Sequence, residues 1–169
     1  SNGGGAAAAL STAENTTAVT TVAATDADIG DTVTYTIIGG ADAGLFDIDA
    51  VTGELTFIAA PDFEAPGDAG GDNVYDLVVE ASDGSLTDTQ ALAVTVTGVN
   101  EAPVITSDGG GATASRSVAE NQTAVTTVAA TDPDAADTVT YTIIGGADAA
   151  RFAIDSATGE LTFIAAPNF

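Results

Sequence analysis

Acidic motifs that recur along the chain are the features best able to support chemistry. Ala13-Glu14-Asn15 returns as Ala119-Glu120-Asn121, and Thr25-Asp26-Ala27-Asp28 returns as Thr131-Asp132-Pro133-Asp134. The chain has 25 Asp and Glu against two basic residues, which gives a formal net charge of −23. Such a charge disfavours nucleic acid and anionic membranes, because both are bound through Lys and Arg. A cation is therefore the natural partner of these carboxylates.

The missing residue types narrow the chemistry further. Without Cys, His or Lys, the chain cannot form thiolate or imidazole metal sites, a Ser-His or Cys-His nucleophile, or a Schiff base. An enzyme would have to use paired carboxylates, as glycosidases do. Recurrence of the same carboxylates in each copy fits a multiplied structural element better than one active site. We therefore expect a non-catalytic protein.

A repeat with a period of 106 residues organises the chain. It aligns residues 1–63 with residues 107–169 without a gap, and 41 of 51 positions match between residues 13–63 and 119–169. We expect two repeats, at residues 1–100 and 101–169, in an array that continues in both directions. The first repeat should lack its opening strand, and the second should end after its central hairpin.

Short runs of alternating polar and apolar residues predict β-strands in each period. Segments flanking Thr52-Gly53 predict a tight hairpin, and no sustained 3.6-residue stripe predicts an α-helix. The expected fold is a Greek-key β-sandwich. The expected strands are Pro103 to Thr106, Ser117 to Glu120, Ala18 to Ala24, Thr32 to Ile38, Leu45 to Asp49, Glu54 to Ala59, Val74 to Ser82 and Ala91 to Thr97.

The differences between the two copies support the register of this hairpin. Leu45 is replaced by Arg151, and Asp47 by Ala153. Both positions should point outward, while Phe46 alternates with them and points inward. A strand with one buried face tolerates such changes only on its outer face.

The motifs, taken in order and at their spacing, resemble the cadherin-like repeats of large bacterial surface adhesins of the RTX type. The resemblance implies an all-β chain of tandem cadherin-like (Ig-like) Greek-key sandwiches, stacked end to end with Ca²⁺ at each junction. The similar segments are Ala13-Glu14-Asn15, Asp26-Ala27-Asp28, the hairpin from Phe46 to Leu55, Asp62-Phe63-Glu64, Ala81-Ser82-Asp83-Gly84 and Val99-Asn100-Glu101-Ala102-Pro103.

The resemblance also implies the calcium ligands, and only oxygen donors of the kind calcium prefers are available. The ligands matching the junction between the copies are Glu14, Asp62, Glu64, Asn100, Glu101, Asp132 and Asp134, with Asp137 as an additional candidate. Asp26, Asp28 and Asp83 would face the preceding junction, and Glu120 the following one.

Two departures from the family pattern bear on affinity. Gly98 stands where the junction motif usually opens with an Asp, so one of the customary ions is expected to be missing or weak. Asp62 becomes Asn168 in the second copy, which keeps an oxygen ligand at reduced charge. Calcium affinity should therefore vary along the array.

The Gly-rich stretch Pro66 to Asn73 has two interpretations. Asp68, Asp72 and Asn73 could form a local cation loop, but the composition favours a flexible connection between strands.

The expected function is mechanical: an extender in an extracellular, secreted or surface-bound adhesin, stiffened by calcium. Its partners would be neighbouring repeats of the same chain or of like chains, while the adhesion target lies outside this segment. One alternative is a subunit of a self-assembling extracellular filament or surface layer, in which chains donate strands to one another. Another is a spacer in a secreted multidomain enzyme.

Overall fold

The computed structural model describes residues 5–28 and 31–168, and the chain divides into two compact units, Ser1–Val99 and Asn100–Phe169. The described part of the first unit forms seven strands, with a 3₁₀ turn before the fourth. They are β1 (Ala7–Ala13), β2 (Ala18–Thr21), β3 (Thr34–Gly39), the turn Ala43–Leu45, β4 (Phe46–Ile48), β5 (Glu54–Phe57), β6 (Val74–Ser82) and β7 (Thr87–Thr97).

These strands form two sheets, one in the order β1-β7-β6-β3 and the other in the order β2-β5-β4. The long hairpin β6–β7 lies at the centre of the larger sheet, where it pairs Tyr75 with Val94 and Leu77 with Leu92. Strand β1 runs parallel to β7, and β3 runs antiparallel to β6. Alternation along β6 and β7 thus directs one row of apolar residues toward the second sheet, as the sequence predicts.

The hydrophobic core of the first unit lies between the two sheets, so the predicted β-sandwich is confirmed. Phe57 is central to it, because its ring centroid is 4.3 Å from that of Phe46 and 5.1 Å from that of Tyr75. The Phe57 and Tyr75 rings meet edge to face, the geometry that aromatic quadrupoles favour. The buried apolar residues are Val22, Tyr35, Phe46, Leu55, Phe57, Tyr75, Leu77, Val79, Leu92, Val94 and Val96.

The β4–β5 hairpin has the predicted register. Phe46 lies opposite Phe57, and both are buried. Leu45 and Asp47 are exposed, as are their counterparts Arg151 and Ala153. The positions that differ between the copies therefore face outward, as predicted.

A buried carboxylate anchors the loop between β5 and β6. Asp42 is only 4% exposed. Its Oδ1 accepts a hydrogen bond from the backbone N–H of Ala69 at 2.7 Å, and its Oδ2 accepts one from Asp76 at 2.8 Å. The hydroxyl of Tyr75 accepts a further bond from the N–H of Gly67 at 3.2 Å. This anchor could not be predicted from the sequence, since nothing near Asp42 in sequence points to the loop.

A second carboxylate organises the Gly-rich stretch itself. Asp68 is 8% exposed, and its two oxygens accept the backbone N–H groups of Asp72 at 3.1 Å and Asn73 at 3.0 Å. Burial acts to raise the pKa of Asp68, but these backbone donors outweigh it and hold the pKa below its ordinary value. The expectation of a flexible connection from Pro66 to Asn73 is therefore wrong: buried acceptors fix this loop.

The second unit retains one of the two sheets. Its elements are β8 (Val104–Ile105), a 3₁₀ turn (Ser107–Gly109), β9 (Ala124–Thr127), β10 (Ala130–Thr131), a 3₁₀ turn (Ala149–Arg151), β11 (Phe152–Ile154) and β12 (Glu160–Phe163). The sheet β11-β12-β9 corresponds to β4-β5-β2, and β8 and β10 form a short antiparallel pair.

Two strands expected in the second unit do not form. Residues 117–120, and residues 138–144, the copy of Thr32 to Ile38, have no strand assignment. Their counterparts in the first unit pair with β7 and β6, and the 169 residues contain no second copy of these two strands. A strand without a partner leaves its backbone N–H and C=O groups unpaired in the ladder, so the extended pairing is lost.

Helical structure in residues 5–28 and 31–168 is confined to the three 3₁₀ turns. In this part of the chain there is consequently no helix with the length and hydrophobicity needed to cross a bilayer.

Candidate metal centres

Acidic side chains gather at three places in the described part of the chain. Within each group, every residue offers a carboxylate oxygen that lies within 4.8 Å of the others. The groups are Glu14, Asp62 and Glu64; Asp26, Asp28 and Asp31; and Asp132, Asp134 and Asp137. We call them the Glu14 cluster, the Asp26 cluster and the Asp132 cluster.

The Glu14 cluster forms where β1 and β7 end beside the β5–β6 loop. Glu14 follows β1 directly, and its backbone N–H donates to the carbonyl of Thr97 at 3.0 Å. Its side chain is 1% exposed. Oε1 accepts from the N–H of Val99 at 2.7 Å, and Oε2 accepts from the N–H of Phe63 at 2.9 Å. One buried carboxylate therefore ties together three chain segments that are distant in sequence.

The other two members of this cluster lie at the surface. Asp62 and Glu64 are both exposed. Oδ1 of Asp62 accepts the backbone N–H groups of Glu64 and Ala65, each at 3.0 Å, which makes a local Asx turn. This turn places the Asp62 and Glu64 carboxylates next to the buried carboxylate of Glu14. The structure thus brings together the three ligands predicted from the first repeat.

The Asp26 cluster is exposed and includes one residue, Asp31, that was not among the predicted ligands. Oδ1 of Asp26 accepts the N–H of Asp28 at 2.7 Å. Asp31 completes the cluster. The 106-residue offset could have identified Asp31, because its copy is Asp137, which was itself a candidate ligand.

Asp83 lies beside the Asp26 cluster. Backbone N–H groups of Leu86 and Ser85 donate to its Oδ1 at 2.7 and 2.6 Å, and they hold the pKa of Asp83 below its ordinary value. Asp26 and Asp83 line the same shallow cavity. The predicted grouping of Asp26, Asp28 and Asp83 at one end of the first unit is therefore compatible with their positions.

The Asp132 cluster is less exposed than its copy in the first unit, because Asp132 and Asp134 are half-buried. Oδ2 of Asp134 accepts the backbone N–H of Glu101 at 2.7 Å. Nδ2 of Asn100 donates to the carbonyl of Glu101 at 3.2 Å. Glu101 thus contacts this cluster through its backbone N–H, and Asn100 contacts Glu101; the carboxylates gathered in the cluster are those of Asp132, Asp134 and Asp137.

Glu120 differs from its copy Glu14. It is exposed and belongs to none of the three clusters found among residues 5–28 and 31–168. Of the two N–H donors that hold Glu14, Val99 has no copy in the chain, and the copy of Phe63 lies outside the described residues. The buried arrangement at Glu14 is therefore not repeated at Glu120.

The donor chemistry of the clusters fits calcium. All of the ligands are oxygens, and each carboxylate oxygen that accepts one N–H bond keeps a second lone pair. Residues 1–99 contain 16 of the 25 acidic residues and neither arginine. Both arginines lie in the second unit, where they pair with Asp108 and Asp148. No protein cation can thus neutralise the two clusters of the first unit from within that unit.

Repulsion within a cluster favours compensation by a cation. Two unit charges 4.8 Å apart repel by about 1 kcal/mol in water and by about 3.5 kcal/mol at an effective dielectric constant of about 20. A divalent cation would replace this repulsion with attraction, and the calcium would supply positive charge and coordination for the oxygens.

Comparison with known families agrees with this arrangement of strands and acidic groups. The cadherin domain family matches residues 7–97, from the start of β1 to the end of β7. The chain belongs to the cadherin domain family. Cadherin domains are extracellular, adhesion-type structural repeats that generally bind calcium, and the acidic clusters of this cadherin chain have the donors for it.

Known cadherins resemble the chain in sequence and in fold. Human protocadherin Fat 1 is 34% identical over 145 residues, which cover 82% of this chain and 3% of the human protein. Human protocadherin-24 EC1-2 superposes with a TM-score of 0.59 at 21% identity, covering 96% of this chain and 75% of that structure. Drosophila N-cadherin EC1-4 superposes at 0.61 and 18% identity, covering 95% and 40%. At such identities these structures support the cadherin fold alone.

Proposed function

We propose that this cadherin chain is a calcium-stiffened extender of a large extracellular adhesion protein, structural rather than catalytic. The observation that carries the proposal is the gathering of carboxylates into three clusters in a chain whose first unit has no basic residue. An isolated exposed Asp is commonly only a solvated turn residue. Three carboxylates converging without a counter-charge favour a bound cation.

In this proposal calcium limits motion at the ends of each repeat. Glu14 already links the ends of β1 and β7 to the β5–β6 loop, and a bound ion would add Asp62 and Glu64 to that link. The sequence places Asn100 and Glu101 between the repeats, and we propose that they and Asp132 and Asp134 contribute to ions shared by consecutive repeats. Without calcium, repulsion in a chain of net charge −23 should leave the linker mobile.

The extracellular location of cadherin domains supports secretion or surface display of this chain. The sequence-based expectation of a bacterial RTX-type adhesin goes further, and it stays a prediction because the relatives reported above are animal proteins. The chain spans only 3% of the length of protocadherin Fat 1. That it belongs to a longer array of repeats, and that this array binds an adhesion target, are therefore also proposals.

The test compares the chain in calcium with the chain in chelator. Isothermal titration should detect calcium binding, and calcium should slow proteolysis near residues 98–103 and narrow the distribution of lengths seen by small-angle scattering. Replacing Asp62 and Glu64 by Asn and Gln together should weaken binding at the Glu14 cluster at least tenfold.

A charge-matched control separates ligation from a general charge effect. Asp47 and Asp88 are exposed acidic residues outside the three clusters, and replacing both by Asn removes the same two charges. This variant should bind calcium nearly as the wild type does. Equal weakening in both double variants, or equal protease sensitivity with calcium and with chelator, would contradict the proposal.

Assembly by strand donation is a second candidate, because the second unit leaves apolar residues uncovered. Ile144 is 96% exposed, whereas the same residue in the first copy, Ile38, is 50% exposed. A strand hairpin from another chain could cover this surface. Analytical ultracentrifugation over a range of concentrations would support donation if long polymers formed, and a monomer at high concentration would argue against it.

A further inference from the structure

Phe63 lies between two members of the Glu14 cluster, Asp62 and Glu64, and it is fixed by three different contacts. Its backbone N–H donates to Oε2 of Glu14 at 2.9 Å. Its carbonyl accepts from Nδ2 of Asn73 at 2.9 Å. Its ring lies against Gly98. Phe63 is 39% exposed, but these three contacts restrict its backbone and one face of its ring, and they thereby help to place the residues on either side of it.

The contact with Gly98 is unusually close. A Cβ built on Gly98 would lie 3.1 Å from Cδ1 of Phe63 and 3.5 Å from Cε1 and Cγ. A side chain at position 98 would therefore require the ring to shift by a few tenths of an ångström. Because Val99 follows Gly98 and donates to Oε1 of Glu14, the ring covers the segment that carries this second donor.

Asn73 secures the other side of Phe63. Asn73 is 8% exposed, and its backbone N–H is held by the buried carboxylate of Asp68. Its Oδ1 is the one buried side-chain polar atom without a hydrogen-bond partner within the described ranges. An unsatisfied buried acceptor is unfavourable. The Asn73 side chain therefore stabilises this region through its amide N–H group, which donates to the Phe63 carbonyl.

We propose that Phe63 is a positioning residue that assembles the Glu14 cluster before any metal binds. This proposal rests on the calcium function proposed above. The ring of Phe63 packs on Gly98 and thereby keeps the Val99 N–H hydrogen-bonded to Glu14. The Asn73 amide holds the Phe63 backbone so that Asp62 and Glu64 face the same carboxylate. The cluster is then preformed, and calcium does not have to order it.

The proposal explains why Gly98 occurs where the related junction motif has an Asp. A side chain at position 98 would crowd the aromatic ring, so this chain has a hydrophobic contact where an additional carboxylate would otherwise stand. Replacing Gly98 by Asp should accordingly displace the ring and should not produce a tighter site.

The first measurement needs no metal. In chelator, amide hydrogen exchange of the full chain should show Val99 protected in the wild type, and Phe63→Ala should raise the exchange rate at Val99 at least tenfold. Phe63→Tyr, which keeps the ring, should restore protection. Ile58→Ala, which shortens an apolar residue that is 66% exposed, is the matched control and should leave Val99 unchanged.

The second measurement connects positioning to binding. Phe63→Ala should weaken calcium binding at the Glu14 cluster by about fivefold to tenfold while binding at the Asp132 cluster stays the same. Asn73→Gly should act in the same direction, since Gly accepts the positive φ of 62° at this position but lacks the amide. Unchanged thermal unfolding of the variants in chelator separates positioning from loss of the fold.

The outcomes distinguish this inference from the proposed function. If the wild type binds no calcium but Phe63→Ala still exposes the Val99 amide, the calcium function fails and the positioning contact stands. If Val99 exchanges equally fast in wild type and Phe63→Ala, the positioning inference is overturned whatever the calcium affinity. A loss of affinity that Phe63→Tyr fails to restore would also overturn it.

Discussion

Residues 32–40 and 138–146 share the nine-residue sequence TVTYTIIGG, but they adopt different structures. The first copy contains β3, which pairs with β6, whereas the second has no strand assignment. Tyr35 is 7% exposed, but Tyr141 is only half-buried. Identical local propensity therefore does not suffice for this strand, because its hydrogen bonds and its cover come from the distant hairpin β6–β7.

The other sheet behaves differently, since it is almost the same in both copies. The rings of Phe46 and Phe57 lie 4.3 Å apart with an interplanar angle of 30°, and those of Phe152 and Phe163 lie 4.6 Å apart at 30°. One contact of β3 is also kept in the second copy, because the Tyr35 hydroxyl accepts the N–H of Ala24 at 3.0 Å, as the Tyr141 hydroxyl accepts that of Ala130. Elements whose strand partners are present in both copies therefore form in both, whereas the strand equivalent to β3 forms only where β6 is present.

The largest effect should come from supplying the missing partner. Appending residues 64–99 directly after Phe169 continues the 106-residue period. We expect residues 140–145 to become a strand. Burial of one large apolar side chain contributes about 1.5–3 kcal/mol. The appended strands should bury Phe152 and Leu161 and therefore raise the free energy of unfolding of the second unit by about 3 kcal/mol or more. Urea titration followed by residue-resolved NMR measures this change.

The control for this experiment carries serine at the appended copies of Leu77 and Leu92, which are 1% and 2% exposed in the first unit. It adds the same length and charge without the core residues, so it should not stabilise the second unit. Equal stabilisation by both extensions would show that burial of core residues does not cause the difference between the two copies.

A smaller effect distinguishes two equivalent glycines. Gly40 and Gly146 have positive φ angles of 111° and 119°. A Cβ on Gly40 would overlap the backbone of Leu77 in β6, whereas a Cβ on Gly146 meets nothing within 4 Å. Alanine at either position strains the backbone by about 1–3 kcal/mol. Gly40→Ala adds a clash with backbone, so its total cost should be about 3–5 kcal/mol.

Urea unfolding of both variants, followed separately for each unit, measures this difference. The expected result is a loss of about 3–5 kcal/mol for Gly40→Ala in the first unit and a loss of about 1–3 kcal/mol for Gly146→Ala in the second. Equal losses would mean that β6 does not press on Gly40 as the structure has it. In the extended chain described above, Gly146→Ala should become as costly as Gly40→Ala.

The contrast between these two sheets also explains which features could be predicted from the sequence alone. Alternation predicted the hairpin β4–β5 and the inward rows of β6 and β7, because a period of two reports directly on a half-buried strand. The 106-residue period and the family resemblance together found the acidic motifs. The resemblance gave the cadherin-like sandwich with the correct layers.

Features made by distant residues could not be predicted in this way. The sequence gives no signal that Asp42 fixes the loop after β5, that Asp68 is buried within that loop, or that Phe63 rests on Gly98. Strand β1 was expected only from position 11 of the first copy, but it begins at Ala7, because pairing with β7 extends it. Each of these depends on which segments meet in the folded chain.

The smallest effect concerns a turn that should be equal in the two copies. Oδ1 of Asp49 accepts the N–H groups of Thr52 at 2.7 Å and Val51 at 2.9 Å, and Oδ1 of Asp155 accepts those of Thr158 at 2.8 Å and Ala157 at 2.9 Å. These donors, above all the Thr52 and Thr158 N–H groups, hold the pKa of both carboxyls below the ordinary value of 3.8.

A lowered pKa in the folded state means that each carboxylate stabilises the fold fully above pH 3.8 and that this contribution is lost as the pH falls through the folded-state pKa. Both groups are exposed, so the loss is small. Carboxyl ¹³C titration by NMR should give the same lowered pKa for Asp49 and Asp155, and Asp49→Asn should reduce stability at neutral pH but not below the folded-state pKa. A lowered pKa at Asp49 with an ordinary pKa at Asp155 would contradict this prediction. It would show that even this turn of the hairpin depends on the strands β6 and β7, which have no copy in the second unit.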